Sequence, residues 1–173
     1  MLFRSKIMQP LIYSENIKDK CFSIAHKINQ KHFDTPDQVV FACVLNGGFM
    51  FYTELVKNLN FNIECDFVRV KSYIGKKEQG DVEITKDLET PIKDKHLYLI
   101  DDLIDSGNTM KYLIDYMKIK EPKSITLVTL CKRKDIDFPN HVYGFELNDE
   151  WIVGMGCNDE NGYNRNLTSI YCI

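Results

Sequence analysis

Three stretches constrain this chain most: QVVFACVL at 38–45, HLYLID at 96–101 and SITLVTLC at 124–131. Each is short, rich in β-branched or aromatic residues, and apolar along nearly its whole length. A strand with one wet face alternates apolar and polar residues, so runs like these must be covered on both faces. The intervening segments supply the cover. FMFYTELVKNL follows the first run after the break NGG, and NTMKYLIDYMK follows the second, both with helical spacing. Ser14, placed ahead of Ile17, Cys21, Ile24, Ala25 and Ile28, predicts a capped amphipathic helix. NIECDFVRVKSY reads as a longer strand, IGKKEQGD as a polar loop and VEITKDL as a short strand. Alternation of this kind predicts an α/β fold, a mostly parallel, doubly wound sheet with helices on both faces. After Lys132 the pattern breaks into short pieces, VYGFEL, WIVGMG and SIYCI.

At 173 residues, with 44% apolar residues and no linker or internal repeat, the chain is expected to form one domain over 1–173. A net charge of -3 without a long Lys/Arg run argues against a nucleic-acid-binding surface. No apolar run approaches the ~20 residues of a membrane span, and Lys6, Gln9 and Pro10 interrupt any signal-type core. The cysteines at 21, 43, 65, 131, 157 and 172 form no C-x-x-C pair, and four lie in apolar runs. They read as reduced thiols used as small hydrophobes, in a cytoplasmic protein without nucleic-acid or membrane partners. The four histidines are scattered, without metal-ligand or triad spacing, and read as structural or surface residues.

The chemistry concentrates in HLYLIDDLIDSGNT, 96–109. In an open parallel sheet, ligands bind beyond the carboxyl ends of the strands. Asp101 and Asp102 are expected at such an end. DSGNT then turns the chain into a helix, whose N-terminus carries about half a positive charge. Gly107 permits positive φ or close backbone approach, and Ser106 and Thr109 add hydroxyls. That combination suits phosphate. The paired carboxylates would repel phosphate; they suit the hydroxyls of a sugar or a hard cation such as Mg²⁺. A sugar phosphate satisfies all of these groups. Two plainer readings also fit the stretch alone: an acidic strand end with an ordinary turn, and an acidic pocket of the response-regulator type. A Walker loop is excluded, because G-x-x-x-x-G-K is absent.

YLIDDLIDSGNTM resembles the phosphoribosyl-diphosphate signature of type I phosphoribosyltransferases. Three further motifs follow that family's order and resemble its 6-oxopurine branch. VVFACVLNGGFMFYTEL is similar to the diphosphate loop and its helix, and DFVRVKSYIGKKEQGDVEI to a Ser-Tyr catalytic lid. LCKRK, YGFELNDEWIVGMG and YNRNL together are similar to a purine hood. The resemblance runs from about residue 38 to the C-terminal segment. It implies a small hood formed from the C-terminal segment and the N-terminal region, with 132–173 supplying most of it.

The resemblance also implies a reaction and residue roles. Phosphoribosyl diphosphate donates its 5-phosphoribosyl group to N9 of hypoxanthine or guanine, with Mg²⁺, in purine salvage. Asp101 and Asp102 would take the ribose hydroxyls and Mg²⁺, and Ser106, Gly107, Asn108 and Thr109 the 5′-phosphate. Asp105 would handle the proton at purine N7. Asn46, Gly47 and Gly48 offer backbone amides for diphosphate. The family often has a basic residue or a strained peptide bond at the Asn46 position, so here the charge would fall to Mg²⁺ and Arg165. Ser72 and Tyr73 would lead a lid that excludes water from the cation-like anomeric carbon. Trp151 would stack on the purine, Ile152 would offer backbone groups to its edge, and Lys132 would face the site and donate to O6. The hood's metal-supporting aspartate aligns with Asn158; a local shift would give that role to Asp159. A homo-oligomer, dimer or tetramer, is expected. Two alternatives stand beside this reading. One is a non-catalytic phosphoribosyl-diphosphate sensor on the same fold; the other is a transferase for another base such as xanthine.

Overall fold

The computed structural model describes residues 9–34, 37–72 and 82–173; the side chain of Ser72 also lies outside the description. The elements, in chain order, are β1 (Pro10–Ile12), α1 (Ser14–Lys31), β2 (Val39–Leu45), α2 (Phe49–Val56), β3 (Glu64–Ser72) and β4 (Val82–Lys86). They continue with β5 (His96–Ile104), α3 (Asn108–Lys118), β6 (Ser124–Arg133), β7 (His141–Leu147), β8 (Ile152–Val153) and β9 (Ile170–Cys172). The main sheet has the order β4-β3-β2-β5-β6-β7. All its pairings are parallel except β3 with β4 at one edge.

The three apolar runs are its centre, and their side chains divide between two cores. Val39, Phe41 and Cys43 join Tyr98 and Ile100 under α1 and α2. Val40, Ala42 and Val44 join Leu97 and Leu99 under Met110, Leu113 and Met117 of α3. Helices therefore cover both faces, as the continuous apolar runs require. All five apolar positions expected to face inward on α1 are buried. Ser14 is not its cap. Tyr13 holds that position and makes no capping bond from its side chain. Instead Ser169 Oγ accepts from the Ser14 amide at 3.0 Å, so a hydroxyl 155 residues away satisfies a helix-end donor.

A small second sheet, β1-β9-β8, is antiparallel and joins the N-terminal strand to the C-terminal segment. This is the expected hood. Within 132–173, β7 belongs to the main sheet, and β8 and β9 belong to the small one. Among the described residues, no helix is long and apolar enough to cross a membrane.

Candidate active site

β5 does not stop at Asp101; it runs on to Ile104 and carries both acidic residues inside its last turn of sheet. The Asp102 amide donates to Asp101 Oδ1 at 2.9 Å. Burial, and then the adjoining Asp102 carboxylate, push Asp101 well above the usual carboxylate range. Two carboxylates so close, one of them desolvated, call for a proton or a hard cation between them. The Cys157 thiol donates to Asp102 Oδ2 at 3.1 Å. Burial and Asp102 push that thiol up strongly, so it is a neutral donor rather than a nucleophile.

The 46–48 loop closes over this pair. The Leu45–Asn46 peptide is cis. A Cβ on Gly47 would lie 2.4 Å from Asp102 Oδ1, and one on Gly156 would lie 1.8 Å from the Gly47 carbonyl oxygen. Gly156 also has φ +102°, which L side chains rarely adopt. The backbone at Gly47, the Asp102 carboxylate and the backbone at Gly156 thus meet with no room for a methyl group. Arg165 reaches the same seam, its Nη1 donating to the Gly156 carbonyl.

Beyond Ile104 the chain makes the expected turn. Gly107 takes φ +79° as the N-cap of α3, and the Asn108 amide points at Ser106 Oγ, 3.4 Å away. Gly107 has no side chain with which to cap this 11-residue helix, and the turn before it presents the positive end of the helix towards the cleft side.

Beside the turn lies a cleft of about 430 Å³, lined by Asp102, Asp105, Arg133, Trp151, Ile152 and Asn158 among others. That is large enough for a purine. Asp105 is 72% exposed here and Trp151 59% exposed, so both can meet a ligand. Ile152 is buried beneath, in β8.

The two basic residues at the end of β6 lie otherwise than expected. Lys132 does not line the cleft; it is 2% exposed, on the α3 side of the sheet. Its ammonium donates to the Ile136 carbonyl at 3.0 Å, pairs with Asp137 at 2.9 Å and Glu146 at 3.3 Å, and sits over the Tyr143 ring. Arg133 lines the cleft instead. The cause is a slip in side-chain alternation. Leu130 and Cys131 both pack in the α1/α2 core, and so do Ile100 and Leu103 on the neighbouring strand. Ile104, the register partner of Lys132, falls in the other core. Strict alternation from the apolar run assigns the cleft to the wrong residue. The expectation for Lys132 came from its place after a buried strand and from the resemblance, and neither reports this slip; Arg133 stands beside it in LCKRK.

Asp159 is also engaged elsewhere. Its Oδ1 accepts from the Asn161 and Tyr163 amides at 2.9 Å, and its Oδ2 from Asn164 Nδ2 at 2.9 Å. It organises the turn before Arg165, and Asn158 faces the cleft. Among the described residues no group of three or more His, Cys, Asp or Glu side chains forms a ready-made metal cage. The Asp101–Asp102 pair is the carboxylate set here that could hold a hard cation such as Mg²⁺. The lid expectation lies outside the described residues: β3 ends at Ser72, and Tyr73 and the loop after it are not described.

An open parallel sheet with a helix N-terminus and an acidic strand end beside a cleft that Trp151 lines is the architecture of an α/β protein that binds its ligand beyond the strand ends. Residues 12–160 match the phosphoribosyl transferase domain, and the chain belongs to that family. It is 35% identical to the hypoxanthine-guanine phosphoribosyltransferase of Aquifex aeolicus, over 98% of this chain and 97% of that protein. It is 33% identical to the hypoxanthine-guanine-xanthine phosphoribosyltransferase of Tritrichomonas foetus, over 94% and 90% of the two chains. A hypoxanthine phosphoribosyltransferase crystal structure from Staphylococcus aureus superposes with a TM-score of 0.87 at 28% identity, covering 95% of this chain and 90% of that one.

Proposed function

We propose that this protein is a purine-salvage hypoxanthine phosphoribosyltransferase that also accepts guanine. In the reaction, the C1′–oxygen bond to diphosphate breaks, a bond from purine N9 to C1′ forms, and IMP or GMP leaves with diphosphate. The observation that carries this reading is the placement of Asp105, which stands between the N-terminus of α3 and the cleft walled by Trp151. A group there can reach both a sugar phosphate and a stacked base.

The roles follow from that placement. The amides and hydroxyls of Ser106, Gly107, Asn108 and Thr109 hold the 5′-phosphate, favoured by the helix end. Asp101 and Asp102 accept from the ribose hydroxyls. Together with substrate oxygens they hold Mg²⁺, which supplies charge neutralisation for the leaving diphosphate. Asn46 and Gly47 present backbone to diphosphate, with Arg165 behind them at the Gly156 seam; the Gly48 amide, expected to join them, donates instead to the Val44 carbonyl at 3.0 Å. Asp105 takes the N7 proton as N9 forms its bond, and its negative charge faces the cation-like anomeric carbon. Trp151 stacks on the purine, and Ile152 offers backbone to its edge. Residues 132–173, with β1, form the hood of this single domain.

The Arg133 guanidinium, rather than the Lys132 ammonium, supplies the cationic donor for the 6-oxo oxygen. Its Nε and Nη1 are engaged by protein; among the described residues Nη2 has no protein partner. A guanidinium only donates. Hypoxanthine and guanine offer it an acceptor, and adenine offers an amino group, a mismatch that costs ~10⁴-fold in sites built around one hydrogen bond. The six unpaired cysteines support a reducing, cytoplasmic setting. The assembly is a homo-oligomer, dimer or tetramer, to be read by light scattering.

The test is nucleotide formation from phosphoribosyl diphosphate, Mg²⁺ and each base in turn. Hypoxanthine is expected to turn over well, guanine to some degree, xanthine poorly and adenine not measurably. Efficient adenine turnover would overturn the substrate class. Tight phosphoribosyl-diphosphate binding without turnover of any base would point to a sensor instead.

A further inference from the structure

We infer that Arg133 is a positioning residue for Asp105, tying the proton-handling carboxylate to the loop that carries the stacking ring. The inference rests on the reading of Asp105 given above. Three bonds support it. Arg133 Nε donates to Asp105 Oδ1 at 2.8 Å, and Nη1 donates to the carbonyls of Asn148 at 2.6 Å and Glu150 at 2.9 Å. Glu150 directly precedes Trp151 in the chain. One planar group thus spans two segments: the turn into α3 and the β7–β8 loop.

The exposures explain why such a strut is needed. Asp105 is 72% exposed and Arg133 only 17% exposed. Asp105 sits just before a left-handed glycine at the mouth of a cleft, and among the described residues no other protein group holds its carboxylate. Arg133 is rooted in the sheet, where it is the register partner of Leu147 on β7. The fork geometry of guanidinium fixes the angle between the Nε and Nη1 bonds, which an ammonium cannot do. Holding Oδ1 leaves Oδ2 for the proton. The plane that faces the base's 6-oxo edge therefore also sets where the carboxylate stands at N7. An ion pair with so exposed a partner adds little to stability. The effect of losing it should appear in turnover rather than in melting.

The test is a double-mutant cycle on the full chain, with hypoxanthine and phosphoribosyl diphosphate. Arg133→Lys keeps a charge and a donor but loses the fork. It is expected to lower kcat by up to ~10²-fold, the effect of a misplacement of about 1 Å. The KM for hypoxanthine should change less than kcat does, and the melting temperature should stay close to wild type. In an Asp105→Asn background, adding Arg133→Lys should change kcat by less than about twofold, because the group it positions no longer takes a proton. Wild-type kcat in Arg133→Lys, or full additivity of the two substitutions, would overturn the positioning role while leaving the Asp105 reading intact. Wild-type kcat in Asp105→Asn alone would overturn that reading, and the inference with it. If Arg133→Lys lowered the melting temperature by more than ~10 °C, Arg133 would be a structural strut, and the positioning role would fall. Arg133→Gln provides the second variant: it should lose kcat and also raise the hypoxanthine KM. An unchanged KM there would remove Arg133 from the cleft.

Discussion

A single methyl group on Gly47 should uncouple phosphoribosyl-diphosphate use from folding. The backbone of Gly47 lies outside the positive-φ region, so alanine meets no conformational penalty there. The cost is purely one of space. The new Cβ would stand 2.4 Å from Asp102 Oδ1, against an ordinary contact of 3.4 Å, so one partner must move by about 1 Å. If Asp102 swings away, it leaves the Cys157 thiol 3.1 Å from its Oδ2 and abandons the position beside Asp101. If the 46–48 loop retreats instead, the Gly47 carbonyl oxygen must move at its tight seam with Gly156. Either way the group meant for ribose, metal or diphosphate is displaced by about 1 Å, and such displacements cost ~10²-fold in rate. Initial rates at saturating hypoxanthine with varied phosphoribosyl diphosphate should show kcat/KM for that substrate reduced by about this factor. The KM for hypoxanthine should hold, and far-ultraviolet circular dichroism should match wild type. Activity within about threefold of wild type would refute the seam as the constraint on Asp102.

Four further outcomes are expected. Asp105→Asn should cut turnover by roughly 10²–10⁴-fold while phosphoribosyl-diphosphate binding, measured by calorimetry, stays near wild type. Lys132→Met should destabilise by about 1–3 kcal/mol, because the bonds from the buried ammonium to the part-buried Ile136 carbonyl and to Asp137 are lost; its turnover should survive, and loss of turnover in a folded protein would restore Lys132 to the cleft. Excess chelator should abolish activity and added Mg²⁺ restore it, since the Asp101–Asp102 pair and substrate oxygens are the donor set; full turnover in chelator would remove the metal. Burial, then the Lys132 charge, hold His141 down to about 4 in the fold, against ~6.5 unfolded. The unfolded chain therefore binds the extra proton first, so stability should fall as pH drops from about 6.5 towards 4. Urea melts across that window should show a shallower fall in His141→Gln.

The strands and their covering helices were legible because burial on both faces leaves an unmistakable apolar run. α3 was legible to its ends, because a glycine that must take positive φ precedes Asn108. The Ser14 cap was not, because Ser169 performs that role from across the molecule, and no local pattern reports it. The placement of Asp101, Asp102 and Asp105 at one strand end and the turn after it was legible from their spacing. The Lys132–Arg133 exchange did not, because the slip in alternation at Leu130 and Cys131 is a property of the sheet's packing and not of the residues themselves. Asp159 was misjudged for a related reason: its backbone partners at 161 and 163 exist only once the turn has formed.

The small sheet sets an order for the assembly of the molecule. Strand 96–104 and helix 108–118 are neighbours in the chain, so the phosphate end of the site can form from local pieces. The small sheet is local only in part: Ile152 pairs with Cys172 nearby in the chain, but its third strand must come from the other end to pair Ile12 with Ile170. Contacts that close so long a stretch of chain form slowly and late. A newly made chain should therefore hold the strand–turn–helix of 96–118 before its small sheet is complete.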